Sequence, residues 1–177
     1  MDFIETELKG AYIVKLTPIE DERGFFARSF CKREFEKHGL EFSIAQCNLS
    51  YNKKKGILRG MHYQKKPYEE AKLISCIKGA IYDVIIDMRC DSPTYCKWIS
   101  VELTAKDYEM LYIPRGFAHG FQTLENNTTV FYHMSEFYHP ESEMGIRWDD
   151  PIFAIKWPRT KRSSISTKDR SYPDYMI

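Results

Sequence analysis

From Lys72 onward the chain is a succession of short β-like runs cut at close intervals by glycine and proline. "KLISCI" and "AIYDVIIDMR" flank Lys78-Gly79, which reads as a hairpin-like turn. "WISVEL" alternates strictly, with Ile99, Val101 and Leu103 on one face and Ser100 and Glu102 on the other. "EMLYIPRGFAHGFQTL" reads as a strand, a Pro-Arg-Gly turn and a second strand, and "TTVFYHM" as another. Upstream, "GAYIVKL" is a strand, and "DERGFF" starts with a turn signal and continues extended. "CKREFEKHG" is the clearest helical segment, ending at a C′ glycine, Gly39. After Trp157-Pro158 the polar "SISTKDRSYPDYMI" is expected to be a loop or short helix. Strands at this spacing argue for a sandwich or barrel and against alternating βαβ units. An all-β, double-sheet jelly roll with a cavity between its sheets suits the length.

The 177 residues are expected to form one domain, 1–177, able to bury a core without staples. A net charge of +1 gives no large basic field, so nucleic acid is not an expected partner. The opening "MDFIETELKG" lacks the apolar segment of a signal peptide, and no window is apolar over a bilayer's width. Five cysteines, odd in number and without a C-x-x-C, fit a reduced, cytoplasmic protein. Aromatic residues make up 15% of the chain, which suits sandwich cores and surfaces that stack on sugars and bases.

The stretch "ILRGMHYQKKP" carries an arginine and a histidine three positions apart on a strand. Strict alternation puts Leu58, Gly60, His62 and Gln64 on one face and Arg59 and Met61 on the other. For Arg59 and His62 to serve one site, the strand must bulge or end near Gly60, or a ligand must span its edge. A cavity between sheets could receive His62, His119 from "GFAHGF" and Tyr132 from "VFYHM".

"DERGFF", "GILRGMHYQ", "KLISCIKGAIYDVIIDMRCDSPTY", "LYIPRGFAHGFQTL", "YHPESE", "WDDP" and "STKD" occur in this order over nearly the whole chain. Together they resemble the dTDP-4-dehydrorhamnose 3,5-epimerase family. The resemblance implies a cupin-type jelly roll, a homodimer, no metal and no organic cofactor. It also implies a nucleotide-linked 4-keto-6-deoxyhexose substrate, inverted at carbons 3 and 5. Hydrogens beside a ketone are weakly acidic because the resulting anion spreads onto oxygen. Inversion needs a base on one face, an acid on the other and a cation at that oxygen. By resemblance His62 is the base, Asp169 holds its ring, Lys72 faces the developing enolate and Tyr132 returns the proton. His119 is a second pocket histidine. Arg23 and Arg59 match diphosphate-binding arginines, and Phe26 and Tyr138 match aromatics that sandwich the base. Gln46, Asn48, Glu143 and Lys168 match polar contacts around the pocket. In the family Arg23 and Phe26 reach the site of the neighbouring subunit.

Three positions depart from the family pattern: Arg28 replaces a glutamate near the thymine edge, Glu70-Ala71 replaces Gln-Gly before the lysine, and His133 replaces a lysine. A donor-only guanidinium cannot accept from a thymine imide. A mono-epimerase acting on a CDP- or GDP-linked sugar therefore stays open as an alternative. Plainer roles compete for single residues. Ser166-x-x-Asp169 reads as a helix cap. Lys72 reads as a strand-edge lysine, and Arg23 as part of the turn at Gly24. Among other classes, a metal-dependent cupin needs a compact histidine cluster, and His62 has no H-x-H partner. A non-catalytic sugar-nucleotide binder has no need of His62, Lys72, Tyr132 and Asp169 together.

Overall fold

The structure, a computed structural model, describes residues 1–40, 43–159 and 164–176. In chain order the elements are β1 (Asp2–Glu5), β2 (Tyr12–Lys15), β3 (Ile19–Asp21), β4 (Gly24–Phe26), α1 (Lys32–Lys37), β5 (Gln46–Asn52) and β6 (Leu58–Gln64). They continue with β7 (Lys72–Lys78), β8 (Ala80–Asp87), β9 (Trp98–Thr104), β10 (Glu109–Ile113), β11 (Phe117–Thr123) and β12 (Thr128–Met134). A 3-10 turn (Pro140–Ser142), β13 (Glu143–Gly145) and α2 (Thr167–Arg170) follow. The strands form the expected antiparallel jelly-roll sandwich. A six-stranded sheet, β1-β2-β10-β7-β12-β5, faces a five-stranded sheet, β13-β6-β11-β8-β9, while β3 and β4 form a separate hairpin.

The turn at Lys78-Gly79 differs from expectation. It is not a hairpin: β7 pairs with β10 and β12, whereas β8 pairs with β11 and β9. The turn is a corner that passes the chain from one sheet to the other. Gly79 makes this corner at a φ of +78°, and a Cβ there would fall 2.5 Å from Thr128 Oγ1. Pro114-Arg115-Gly116 likewise takes the chain from β10 across to β11 in the facing sheet.

The alternation in "WISVEL" is as expected: Ile99, Val101 and Leu103 pack into the core between the sheets, with Ile74, Ile81, Ile85, Leu111, Phe117, Phe121 and Val130. The outer face of the five-stranded sheet is covered by the chain's later segment, where Phe153, Ile155 and Trp157 pack on Leu58, Met61, Val84 and Ile86. Helix α1 covers the other sheet by inserting Phe35 against Phe3 and Tyr112. Burying that one phenylalanine contributes about 2 kcal/mol, the main reason so short a helix holds.

Candidate active site

Cross-strand partners share a sheet face, so register decides which side chains meet between the sheets. On β12, Val130 and Tyr132 point inward opposite Ser50 and Asn48 of β5 and next to Cys76 and Ile74 of β7. Lys72 is the next inward residue of β7 after Ile74. On β11, His119 follows Phe117, and on β8 Asp83 lies between Ile81 and Ile85. The inward positions thus change from aliphatic to polar toward one end of the sandwich. There the core opens into a cavity of about 1080 Å³, lined by Arg59, His62, Lys72, His119, Tyr132 and Asp169 among others.

Arg59 and His62 reach the same cavity because β6 bulges. His119 pairs with His62, but Phe121 pairs with Arg59, so Gly120 alone opposes Gly60 and Met61. The extra residue resets the alternation. Leu58 and Met61 pack outward against the Trp157 cluster, and Arg59 and His62 line the cavity. Gly60 permits it with a φ of +119°; a Cβ there would lie 2.5 Å from Gly120 Cα and 2.8 Å from the His119 carbonyl oxygen.

His62 Nε2 lies 2.8 Å from Asp169 Oδ1. Asp169 Oδ2 accepts the Gly60 N–H at 3.3 Å. Burial alone raises a carboxyl pKa. Here the His62 hydrogen bond and charge, the Gly60 N–H and Ser166 outweigh it and hold Asp169 below the usual range. The capping reading of the same segment also holds: Ser166 Oγ accepts the Asp169 N–H at 3.0 Å at the start of α2. The cap orients the turn and leaves the carboxylate free to face His62. Lys72 Nζ donates to the His62 carbonyl at 2.9 Å and pairs with Glu70 Oε1 at 3.0 Å. Lys72 is therefore a buried inward residue and not a strand-edge lysine. His119 Nε2 meets Asp83 Oδ1 at 2.6 Å, and its ring lies edge-on to Tyr132 at 6.0 Å. Desolvation, reinforced by the Asp83 carboxylate, pushes the Tyr132 hydroxyl well above the ordinary phenol value against the opposing pull of Arg59 and Ser50.

At the cavity mouth, Glu143 Oε2 accepts from both Tyr138 Oη and Lys168 Nζ, each at 2.6 Å. These two bonds hold Glu143 below its usual pKa although burial pushes the other way. Gln46 accepts the Tyr138 N–H at 3.0 Å and donates to Asn48 Oδ1 at 3.3 Å. Arg59 Nε donates to Asn52 Oδ1 at 2.8 Å.

Two expected site residues are elsewhere. Arg23 and Phe26 sit on the β3–β4 hairpin, do not line the cavity of their own chain, and are largely exposed; Arg23 pairs with Asp21 at 2.5 Å. The departures from the family pattern also have definite places. Arg28 pairs with Glu34 of α1 at 2.8 Å, away from the cavity. His133, next to Tyr132 on a strand, turns to the outer face against Phe30 and Phe131, where burial lowers its pKa. Residues not expected in the site are Ser50, Gln64, Glu70, Phe137 and Ser166, which line the cavity, and Asp83, which orders His119. Among the described residues no group of three or more His, Cys, Asp or Glu is placed to hold a metal ion, and no helix is long and apolar enough to cross a membrane.

The sequence profile of the family described as dTDP-4-dehydrorhamnose 3,5-epimerase matches residues 5–176. An enzyme of that name from Methanothermobacter thermautotrophicus is 42% identical over 173 residues, 96% of this chain and 92% of the relative. The crystal structure of the Bacillus anthracis enzyme with TDP and pyrophosphate bound superimposes with a TM-score of 0.94 at 41% identity, covering 98% of this chain and 99% of that one. The Legionella pneumophila dTDP-6-deoxy-D-glucose-3,5-epimerase, in complex with dTDP-4-keto-L-rhamnose, gives a TM-score of 0.90 at 35% identity, covering 99% of both chains. In sequence over nearly its whole length, and in fold, the chain belongs to the dTDP-4-dehydrorhamnose 3,5-epimerase family.

Proposed function

We propose that this protein is an isomerase that converts dTDP-4-dehydro-6-deoxyglucose to dTDP-4-dehydrorhamnose by inverting carbons 3 and 5. One observation carries the reading: His62 and Tyr132 enter one cavity from opposite sheets, with the Lys72 ammonium between those walls. Inversion requires removal and return of a proton on opposite faces of one carbon. With Nε2 donating to Asp169, the neutral ring keeps its lone pair on Nδ1. That nitrogen takes the proton beside the ketone, and the electron pair moves onto the ketone oxygen. The Lys72 ammonium, buried in the cavity wall, stabilises this oxyanion. Tyr132, held protonated by its surroundings, delivers its proton to the other face; solvent then restores the phenol and discharges the imidazolium. Asp169 stabilises the imidazolium while it lasts.

The nucleotide occupies the cavity mouth. Arg59 and Lys168 supply positive charge for the diphosphate, and Tyr138, Gln46, Asn48 and Glu143 shape the base and sugar contacts. His119, ordered by Asp83, hydrogen-bonds the sugar. The protein works as a cytoplasmic homodimer of single-domain chains without a cofactor, in deoxysugar synthesis for surface polysaccharides. The exposed Arg23 and Phe26 complete the partner's cavity: neither lines the cavity of its own chain, and Phe26 is 70% exposed.

Proton NMR of dTDP-4-dehydro-6-deoxyglucose in heavy water tests the activity: deuterium enters at carbons 3 and 5 and the inverted sugar accumulates. Absence of exchange at both carbons removes the proposal. The shared site has its own test. Phe26→Ala and His62→Ala proteins, each weak alone, are expected to regain part of the activity when mixed and allowed to exchange subunits, because one site of each mixed dimer is intact. No recovery, despite mixed dimers detected by native mass spectrometry, excludes the shared site.

A further inference from the structure

Glu70 has no role in the mechanism above, yet it lines the cavity and its side chain is 5% exposed. Its two oxygens have separate tasks. Oε1 pairs with Lys72 Nζ at 3.0 Å, and Oε2 accepts the Gln64 N–H at 3.2 Å. Gln64 is itself fixed, donating to the carbonyls of Tyr68 and Phe137 and accepting the His139 N–H at 2.6 Å. Glu70 is thus braced against a rigid part of the cavity wall. An ammonium has three N–H bonds in tetrahedral array. Lys72 directs one to the His62 carbonyl and one to Glu70. The third has no protein partner among the described residues, and the cavity lies beside it.

We propose that Glu70 is a positioning residue that, with the His62 carbonyl, aims the third N–H of Lys72 at the ketone oxygen of the substrate. This rests on the epimerase reading above. Two fixed donors determine the direction of the third, whereas one would leave the ammonium free to swing about a single hydrogen bond. A carboxylate suits the task better than an amide, which would accept from Lys72 but present its own N–H groups to the Gln64 N–H. The negative charge also offsets the cost of burying an ammonium. Glu70 touches no reacting atom; it acts through Lys72.

Steady-state kinetics on the dTDP-4-keto sugar test it. Glu70→Ala is expected to lower kcat by about 10- to 100-fold with KM within about threefold, the signature of an interaction that matters only once the oxyanion forms. Glu70→Gln, which still accepts from the ammonium, is expected to recover most of the loss, to within about threefold of wild type. In a Lys72→Met background neither change is expected to lower the rate further. A loss that persists undiminished in that background marks Glu70 as merely structural and overturns the proposal, as does wild-type kcat in Glu70→Ala. If Glu70→Ala does not fold, Glu70→Gln carries the same comparison, and equal losses with and without Lys72 overturn it. The wild-type chain is assayed alongside. Its failure to exchange deuterium removes the epimerase reading and this proposal with it, whereas normal exchange with an indifferent Glu70 removes this proposal alone.

Discussion

Replacing His62 with alanine is expected to lower deuterium exchange into the sugar by about 10²- to 10⁴-fold, the range for loss of a general base, while dTDP still binds. Binding survives because the change removes only the ring. The His62 carbonyl that anchors Lys72 remains, and Lys168, Glu143, Gln46 and Asn48 at the cavity mouth hang on α2, β13 and β5. Two of the other cavity carboxylates are already engaged, Glu143 by Tyr138 and Lys168 and Glu70 by Lys72 and Gln64. Asp169→Asn is expected to act in the same direction by a different route. The Gly60 N–H at 3.3 Å keeps the amide oxygen on its side, which turns the amide NH₂ toward His62 Nε2. The ring must then accept at Nε2 and carry its proton on Nδ1, the tautomer that cannot act as a base into the cavity. NMR in heavy water reads the exchange and calorimetry reads dTDP binding. Exchange by His62→Ala within about tenfold of wild type would remove His62 from the mechanism, since a tenfold rate change corresponds to only about 1.4 kcal/mol.

The sandwich was legible in the sequence because its signals are local. Alternation in "WISVEL" and turns at glycine and proline are properties of a few adjacent residues. The identity of each strand's neighbours is not. Lys78-Gly79 looks like a hairpin because two apolar runs flank it, yet the corner at Gly79 sends them into different sheets. The bulge in β6 was legible only as a requirement. Alternation separates Arg59 from His62, and the glycine between them is where it could fail, but the cause lies in Gly120, sixty residues away, which lets the two strands approach backbone to backbone. Asp83 left a readable trace, a charge between Ile81 and Ile85 on the inward face of "AIYDVIID", although its partner His119 comes from another strand. Glu70 left none, since an acid near a lysine is ordinary on a surface and only burial gives the pair a task. Arg23 and Phe26 stand apart: local sequence marks their hairpin, and neither lines the cavity of its own chain.

Tyr132→Phe is expected to separate two events that occur together in the wild type. In the proposed mechanism the first, loss of the proton beside the ketone, depends on His62, Asp169 and Lys72, none of which bonds to the Tyr132 hydroxyl. Deuterium should therefore continue to enter the sugar, at a rate within about tenfold of wild type. The second event, return of a proton from the opposite face, depends in the same proposal on a donor carried by the other sheet. Phenylalanine retains the ring that packs against the core and against His119, so the cavity keeps its shape and loses only an O–H. With that wall unable to donate, the imidazolium exchanges its proton for deuterium from the solvent and returns it to the same face, and the sugar emerges labelled but not inverted. Formation of inverted sugar is expected to fall by about 10²- to 10⁴-fold. Because desolvation and the Asp83 carboxylate keep the wild-type phenol protonated, this donor is available throughout the neutral range, and its ionisation should leave no limb on the wild-type pH profile there. Time-resolved NMR separates the outcomes, since exchange removes a resonance while inversion changes the coupling constants of its neighbours. Inversion by Tyr132→Phe at the wild-type rate would mean that the proton arrives from another group or from water, and opposed walls would no longer explain the chemistry.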